Sequence, residues 1–177
     1  ITSPGAEDML AHDSLPTAND DDLARLVMIK LNGGLGTGMG LSRAKSLLPL
    51  REGLTFLDVI TQQALLAGFP LMLMNSFSTH RDTMSFLEAH YPAVLRGPLD
   101  SAFLQNQFPR ILNEGNSPTD LRPLELPDES ATWNPPGHGD LYPAIVASGV
   151  LDQLLAAGFE IAFVSNSDNL GAFVDGR

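Results

Sequence analysis

The sequence predicts an α/β fold, with a mainly parallel sheet carrying helices on both faces. Three observations predict it. Short unbroken apolar runs, Leu26-Val27-Met28-Ile29, Pro70-Leu71-Met72-Leu73-Met74 and Ile161-Ala162-Phe163-Val164, read as buried strands. The last two are each entered from a helical stretch through a near-repeat, Leu65-Leu66-Ala67-Gly68-Phe69 and Leu154-Leu155-Ala156-Ala157-Gly158-Phe159. All three end in glycine or polar residues, which is where ligands bind in parallel sheets.

Residues 1–24 form an acidic lead-in. Glu7, Asp8, Asp13, Asp20, Asp21 and Asp22 occur there before any Lys or Arg, so a solvated segment with one short helix is expected. The first strand feeds the stretch Lys30-Leu31-Asn32-Gly33-Gly34-Leu35-Gly36-Thr37-Gly38-Met39-Gly40. Glycine lets backbone curl closely around a ligand, and successive N–H groups facing one concavity suit phosphate oxygens. Ser46-Leu47-Leu48-Pro49-Leu50 reads as a short extended piece, and Glu52-Gly53 as a turn.

Thr55 and Asp58 form a variant capping box for a helix from about Phe56 to Ala67, with Phe56, Val59, Ile60 and Ala64 inward and Gly68 ending it. The second strand ends at Asn75-Ser76. Thr79 to His90 reads as a helix stopped by Tyr91-Pro92, and residues 101–112 as a short strand or strand pair around Ala102-Phe103-Leu104-Gln105. From Asn113 to Gly139 the chain reads as a proline-rich loop long enough to be functional. A helical stretch from about Tyr142 to Ala157 has a break marked by Gly149. The Gly loop, Asn75-Ser76 and Asn166–Asp168 are expected to converge on one cleft.

The 177 residues suffice for a sizeable core, and 44% hydrophobic with 18% charged residues argues against disorder. A net charge of −11 disfavours nucleic acid as a partner. Charge is unevenly placed, however: residues 30–51 hold Lys30, Arg43, Lys45 and Arg51 and no acid, a positive island suited to an anion. The lack of cysteine removes disulfides, thiolate–metal sites and cysteine catalysis. No apolar run reaches the roughly 18 residues of a membrane helix and no signal peptide is visible, so no membrane partner and a cytoplasmic location are expected. The chain starts at Ile1 and stops at Arg177 just after a motif, and is read as part of a longer protein. Oligomeric state is not legible.

Two phosphate-loop patterns fail. The P-loop needs Gly directly before Lys-Ser, and Ala44 precedes Lys45-Ser46. The dinucleotide fingerprint needs Gly or Ala where Met39 or Leu41 stands, and Asp58, at the spacing of its ribose acid, falls in the first turn of a helix. What is left is a strand, a long Gly-rich loop and a lysine able to reach back over it. Taken alone, Lys45 could be an ordinary solvated lysine, Asp168 an Asx-turn or N-cap residue, and His138 a structural or exposed histidine.

Together these stretches resemble the UTP–glucose-1-phosphate uridylyltransferase family. The resemblance rests on the loop Leu31–Gly40 with Lys45-Ser46, on Gly53-Leu54-Thr55-Phe56-Leu57-Asp58, on Met74-Asn75-Ser76-Phe77, and on Gln105 before Phe108-Pro109-Arg110. It is sharpest in Pro135-Pro136-Gly137-His138-Gly139-Asp140-Leu141-Tyr142 and Ser165-Asn166-Ser167-Asp168-Asn169-Leu170-Gly171-Ala172.

The resemblance implies a Rossmann-like, nucleotide-diphospho-sugar transferase type of sheet, mixed but mainly parallel and incomplete in this chain. Residues 25–177 would be the N-terminal part of the catalytic domain, whose remainder and a β-helix domain lie outside the chain. Activity would be transfer of uridylyl from UTP to glucose 1-phosphate with Mg2+, giving UDP-glucose and pyrophosphate. A related enzyme using another sugar 1-phosphate and a non-catalytic nucleotide-binding module are the alternatives.

By the same resemblance, Leu31, Gly33 and Gly34, with Asn32, would meet the uracil and nucleotide. Gly36, Thr37, Gly38, Met39 and Gly40 would wrap the triphosphate, and Lys45 would be the catalytic cation. Gln105 would read the uracil edge, with Gln107 an open alternative. Gly137 would approach the base, His138 the sugar phosphate and Asn166 the ribose and α-phosphate. Asp168 would hold Mg2+.

Overall fold

The computed structural model describes residues 5, 7, 9–36, 43–113, 121–127 and 129–175. Its centre is a four-stranded, all-parallel sheet of β1 (Leu26–Asn32), β2 (Leu71–Asn75), β3 (Ala102–Leu104) and β8 (Ile161–Asn166), in the order β3-β2-β1-β8. The chain moves outward from β1 to β2 to β3, then returns to place β8 on the other side of β1. Strand order therefore reverses at β1, and a crevice is left beyond the carboxyl ends of β1 and β8.

Alternate residues of β1 face opposite layers. Leu26 and Met28 join Leu71 and Leu73 against Leu57, Ile60 and Ala64 of α2 (Phe56–Ala67) and Leu87 of α3 (His80–His90). Val27, Ile29 and Leu31 join Met72, Met74 and Phe103 against α4 (Leu141–Ala147) and α5 (Val150–Ala156). Both faces of the inner strands are thus covered, and every residue of β1 and β2 is buried.

Helix α2 has the expected bounds. The Thr55 hydroxyl accepts from Asp58 N–H while the Asp58 carboxylate accepts from Thr55 N–H, and Gly68 ends the helix at φ 74°. Its inward stripe differs from expectation: Leu57, Ile60, Thr61 and Ala64 are buried, whereas Phe56 and Val59 are only half-buried. The capping box turns Leu57 to the sheet, and positions 60, 61 and 64 follow it at helical spacing. Gly149, at φ 75°, separates α4 from α5 as anticipated.

Three other expectations are corrected. Of the expected extended piece Ser46–Leu50, the first two residues lie in a 3-10 turn, Lys45–Leu47, which starts where Lys45 N–H is drawn back to Gly34 O (3.0 Å), whereas Leu48 is extended and Pro49 bridges Thr55. The stretch after residue 112 is not simply loop: β4 (Phe108–Pro109) pairs antiparallel with β7 (Trp133–Asn134), and β5 (Ile111–Asn113) with β6 (Leu121–Pro123). These ribbons use two or three residues per strand, too few for an alternating signal. Finally, β8 is an edge strand, hydrogen-bonded only to β1 among the described residues, and Ile161 and Val164 are 37% and 38% exposed.

The lead-in carries α1 (Asp20–Ala24), capped by the Asn19 side chain and with no buried residue. Arg25 anchors its end through Asp22 (2.6 Å) and Glu160. Among the described residues, no helix is long and apolar enough to cross a membrane.

Candidate active site

The Gly loop leaves β1 from a rigid floor. Asn32 is 1% exposed, and its amide nitrogen donates to Asn75 Oδ1 (2.8 Å) and Thr83 Oγ1 (3.0 Å). Thr79 Oγ1 donates to Asn32 O (2.8 Å) and accepts from Ser76 N–H (3.0 Å). Asn75 and Ser76 are fully buried in this network, so they do not open onto the cleft with the other strand ends. The Asn32 side chain is likewise committed to the floor.

The described part of the loop closes as a hairpin. Gly36 N–H donates to Arg43 O (3.2 Å), and Leu35 bridges Ala44. Thr37, Gly38, Met39 and Gly40 lie outside the described residues. Lys45 therefore returns beside Gly34, where a Cβ would stand 3.6 Å from Lys45 Cδ. On the other side of the loop, a Cβ at Gly33 would stand 1.8 Å from Gln105 Nε2, well inside contact distance. Gln105 follows β3, is 6% exposed, and its buried Oε1 has no hydrogen-bond partner among the described residues. Gln107 is exposed, so Gln105 is the glutamine against the loop.

Asp168 stands at the turn after β8. Its Oδ2 lies 3.9 Å from Lys45 Nζ, with the two side chains 47% and 41% exposed. At that distance and exposure the pair adds little stability, so both groups remain free to exchange partners with a ligand. The order Gln105–Gly33–Gly34–Lys45–Asp168 makes an arc across the carboxyl edge of the sheet, from a buried amide to a charged pair. Asn166 is exposed at the end of β8, in register with Leu31.

The Pro-Pro-Gly-His-Gly-Asp stretch comes in beside this arc. Gly137 adopts φ 99°, a conformation that requires glycine, although open space surrounds the position its Cβ would take. His138 is exposed and shares a groove with Leu31, Leu141 and Val164. Asp140, given no role from sequence, holds the arrangement together. It is 8% exposed and accepts from Asn106 N–H (2.6 Å) and Asn106 Nδ2 (2.9 Å), fixing the residue next to Gln105. Its place directly after Gly-His-Gly is the signal that could have found it.

One member of the expected positive island is not on the surface. Lys30 is 0% exposed, and burial holds its ammonium pKa below the ordinary lysine value. It falls on the face of β1 shared with Met28 and Asn32, so its Nζ points inward rather than to the loop.

The sequence matches the profile of the family described as UTP–glucose-1-phosphate uridylyltransferase over residues 1–177. The chain belongs to this family. It is 45% identical to the UTP–glucose-1-phosphate uridylyltransferase of Solanum tuberosum over 99% of this chain and 38% of the relative. The enzyme of Saccharomyces cerevisiae is 40% identical, again over 99% of this chain and 36% of the relative. A solved structure of a Leishmania major UDP-glucose pyrophosphorylase variant in complex with UDP-glucose superposes with a TM-score of 0.83 at 42% identity, covering 96% of this chain and 36% of that one. A Trypanosoma brucei UDP-glucose phosphorylase gives 0.79 at 42% identity, over 93% and 36%. The chain thus spans little more than a third of the length of these uridylyltransferases, and corresponds to their N-terminal portion.

Proposed function

We propose that the protein carrying this chain transfers uridylyl from UTP to glucose 1-phosphate, and that the arc holds the nucleotide. A phosphate oxygen of glucose 1-phosphate attacks the α-phosphorus of UTP in line, the bond from that phosphorus to the bridging oxygen of the β-phosphate breaks, and pyrophosphate leaves. The attacking oxygen is already anionic, so no side chain has to remove a proton. The protein supplies alignment and opposes developing charge.

Gln105 meets the uracil edge: its unpartnered Oε1 accepts from the ring N–H and its Nε2 donates to a ring carbonyl. Leu31, Gly33 and Gly34 lie under the nucleotide, and Gly137 bounds the base. Gly36 to Gly40 and the Lys45 ammonium are assigned to the phosphates, Asn166 to the ribose and His138 to the sugar phosphate. The observation that carries this proposal is the half-exposed Lys45–Asp168 pair, 3.9 Å apart at the point where strand order reverses.

Among the described residues no group of three or more His, Asp or Glu could hold a metal on its own. Asp168 nevertheless fits Mg2+, which binds phosphate substrates through one or two carboxylates plus phosphate oxygens and water. When bound there, the cation would neutralise phosphate charge beside Lys45.

The test is pyrophosphate release from UTP by the full-length protein with glucose 1-phosphate, galactose 1-phosphate and N-acetylglucosamine 1-phosphate. Release that requires glucose 1-phosphate supports the proposal. Release with another sugar alone reassigns the substrate, and UTP binding without release under any of them leaves a nucleotide-binding module.

A further inference from the structure

Lys30 is a buried cation that the reaction does not use. Its Nζ donates to Ser165 Oγ (2.7 Å) in β8 and to Ala172 O (2.7 Å) in the segment beyond it, and lies 5.8 Å from the centre of the Phe163 ring. Both acceptors are neutral, so the contacts supply geometry rather than charge neutralisation. Leucine or methionine would fill this place without the cost of burying an ammonium. What an ammonium adds is several donors at one point, able to tie two acceptors on different segments.

Those two acceptors bracket Asp168. The intervening turn carries its own weak ladder, Asn169 N–H to Asn166 O (3.2 Å) and Ala172 N–H to Asn169 O (3.2 Å). A second donor reaches it from α2, where Gln63 Nε2 bonds Leu170 O (3.2 Å). At the other end, Ser167 N–H bonds Leu31 O (3.2 Å) in β1. Among the described residues the Asp168 side chain has only the loose pairing with Lys45, so its position is set by what holds the turn.

We propose that Lys30 is a positioning residue, which, with Gln63, clamps the 165–172 turn so that the Asp168 carboxylate stands opposite Lys45. The proposal rests on Asp168 serving the nucleotide site as set out above. It also explains why a lysine directly before the Gly loop points into the protein: one strand launches the phosphate loop and secures the opposing carboxylate.

The test uses the full-length protein with Lys30→Met, and Gln63→Ala as a milder release of the same turn should Lys30→Met fail to fold. Without ligand, amide exchange at Asn169 and Ala172 should quicken about five- to tenfold in either variant, while α2 amides keep their protection. The Mg2+ concentration for half-maximal turnover should rise. In an Asp168→Ala background, neither substitution should lower turnover further. Unchanged exchange at Asn169 and Ala172, or losses that multiply in the Asp168→Ala background, would overturn the proposal. If the wild-type protein shows no sugar-phosphate-dependent turnover, the reading of the site fails, whereas the exchange measurement still decides whether Lys30 and Gln63 clamp the turn.

Discussion

Gly33 and Gln105 occupy one another's space: a Cβ on Gly33 would stand 1.8 Å from Gln105 Nε2. The glycine is needed there for close approach, not for an unusual backbone angle. Gly33→Ala should therefore leave the strand intact and push the Gln105 amide away from the loop. A misplaced pair of amide bonds to a base is worth ~1–3 kcal/mol. The expected result is a fall of roughly ten- to a hundredfold in kcat/KM for UTP, carried mainly by KM. Unaltered UTP kinetics would remove Gln105 from the base site.

Asn32 leads into the Gly loop but its side chain serves the floor. Asn32→Ala leaves the Asn75 and Thr83 side chains, both buried, without that donor. A loss of about 1–3 kcal/mol in unfolding free energy is expected, measured by urea denaturation. Below the transition, UTP affinity should stay close to wild type. A large affinity loss with full stability would mean the side chain faces the ligand after all.

Asp58 gives a pH signature. Burial alone would raise its pKa, but hydrogen bonds from Thr55 N–H, the Thr55 hydroxyl and the Tyr91 hydroxyl, with a contribution from His90, together hold it below the usual carboxylate value. A depressed folded-state pKa favours the ionised, folded protein. The stabilisation is fully present above the unfolded pKa of about 3.9 and is lost as pH falls through the folded value. Asp58→Ala should lower stability near pH 7 by about 0.5–2 kcal/mol, the scale of a lost cap, and shrink the gap from wild type in acid. Parallel pH–stability curves for the two proteins would contradict this.

The Asp168 carboxylate should govern the metal requirement. Asp168→Ala is expected to raise the Mg2+ needed for turnover by tenfold or more, and chelation should abolish wild-type turnover until Mg2+ is restored. Equal Mg2+ curves for variant and wild type would place the metal elsewhere.

Much of the frame was legible because its signals are local. The Thr55–Asp58 box and Gly68 mark both ends of α2, Gly149 marks the break before α5, and unbroken apolar runs mark β1 and β2. The facing of residues was less legible. A strand buried on both faces shows no alternation, so nothing in Leu26–Asn32 reveals that Lys30 turns inward while Leu31 faces the opposite layer. Charge counting then placed Lys30 in the positive island, although its ammonium is enclosed by Ser165, Ala172 and Phe163.

The polar strand ends misled in a similar way. Asn75-Ser76 and Asn166–Asp168 look alike in sequence. Only the network with Asn32, Thr79 and Thr83 shows that the first pair is floor, whereas Asn166 and Asp168 stay exposed beyond β8. The arc itself joins residues from positions 33 to 168, and its Lys45–Asp168 contact arises only once β8 returns beside β1.

The most direct test concerns Lys45. Pyrophosphate release by the full-length protein, with UTP, glucose 1-phosphate and Mg2+, should fall on the order of 10²–10³-fold in kcat for Lys45→Ala, the scale of losing one preorganised electrostatic donor. Turnover within about threefold of wild type, on the same scale, would contradict the role of the Lys45–Asp168 pair in phosphoryl transfer.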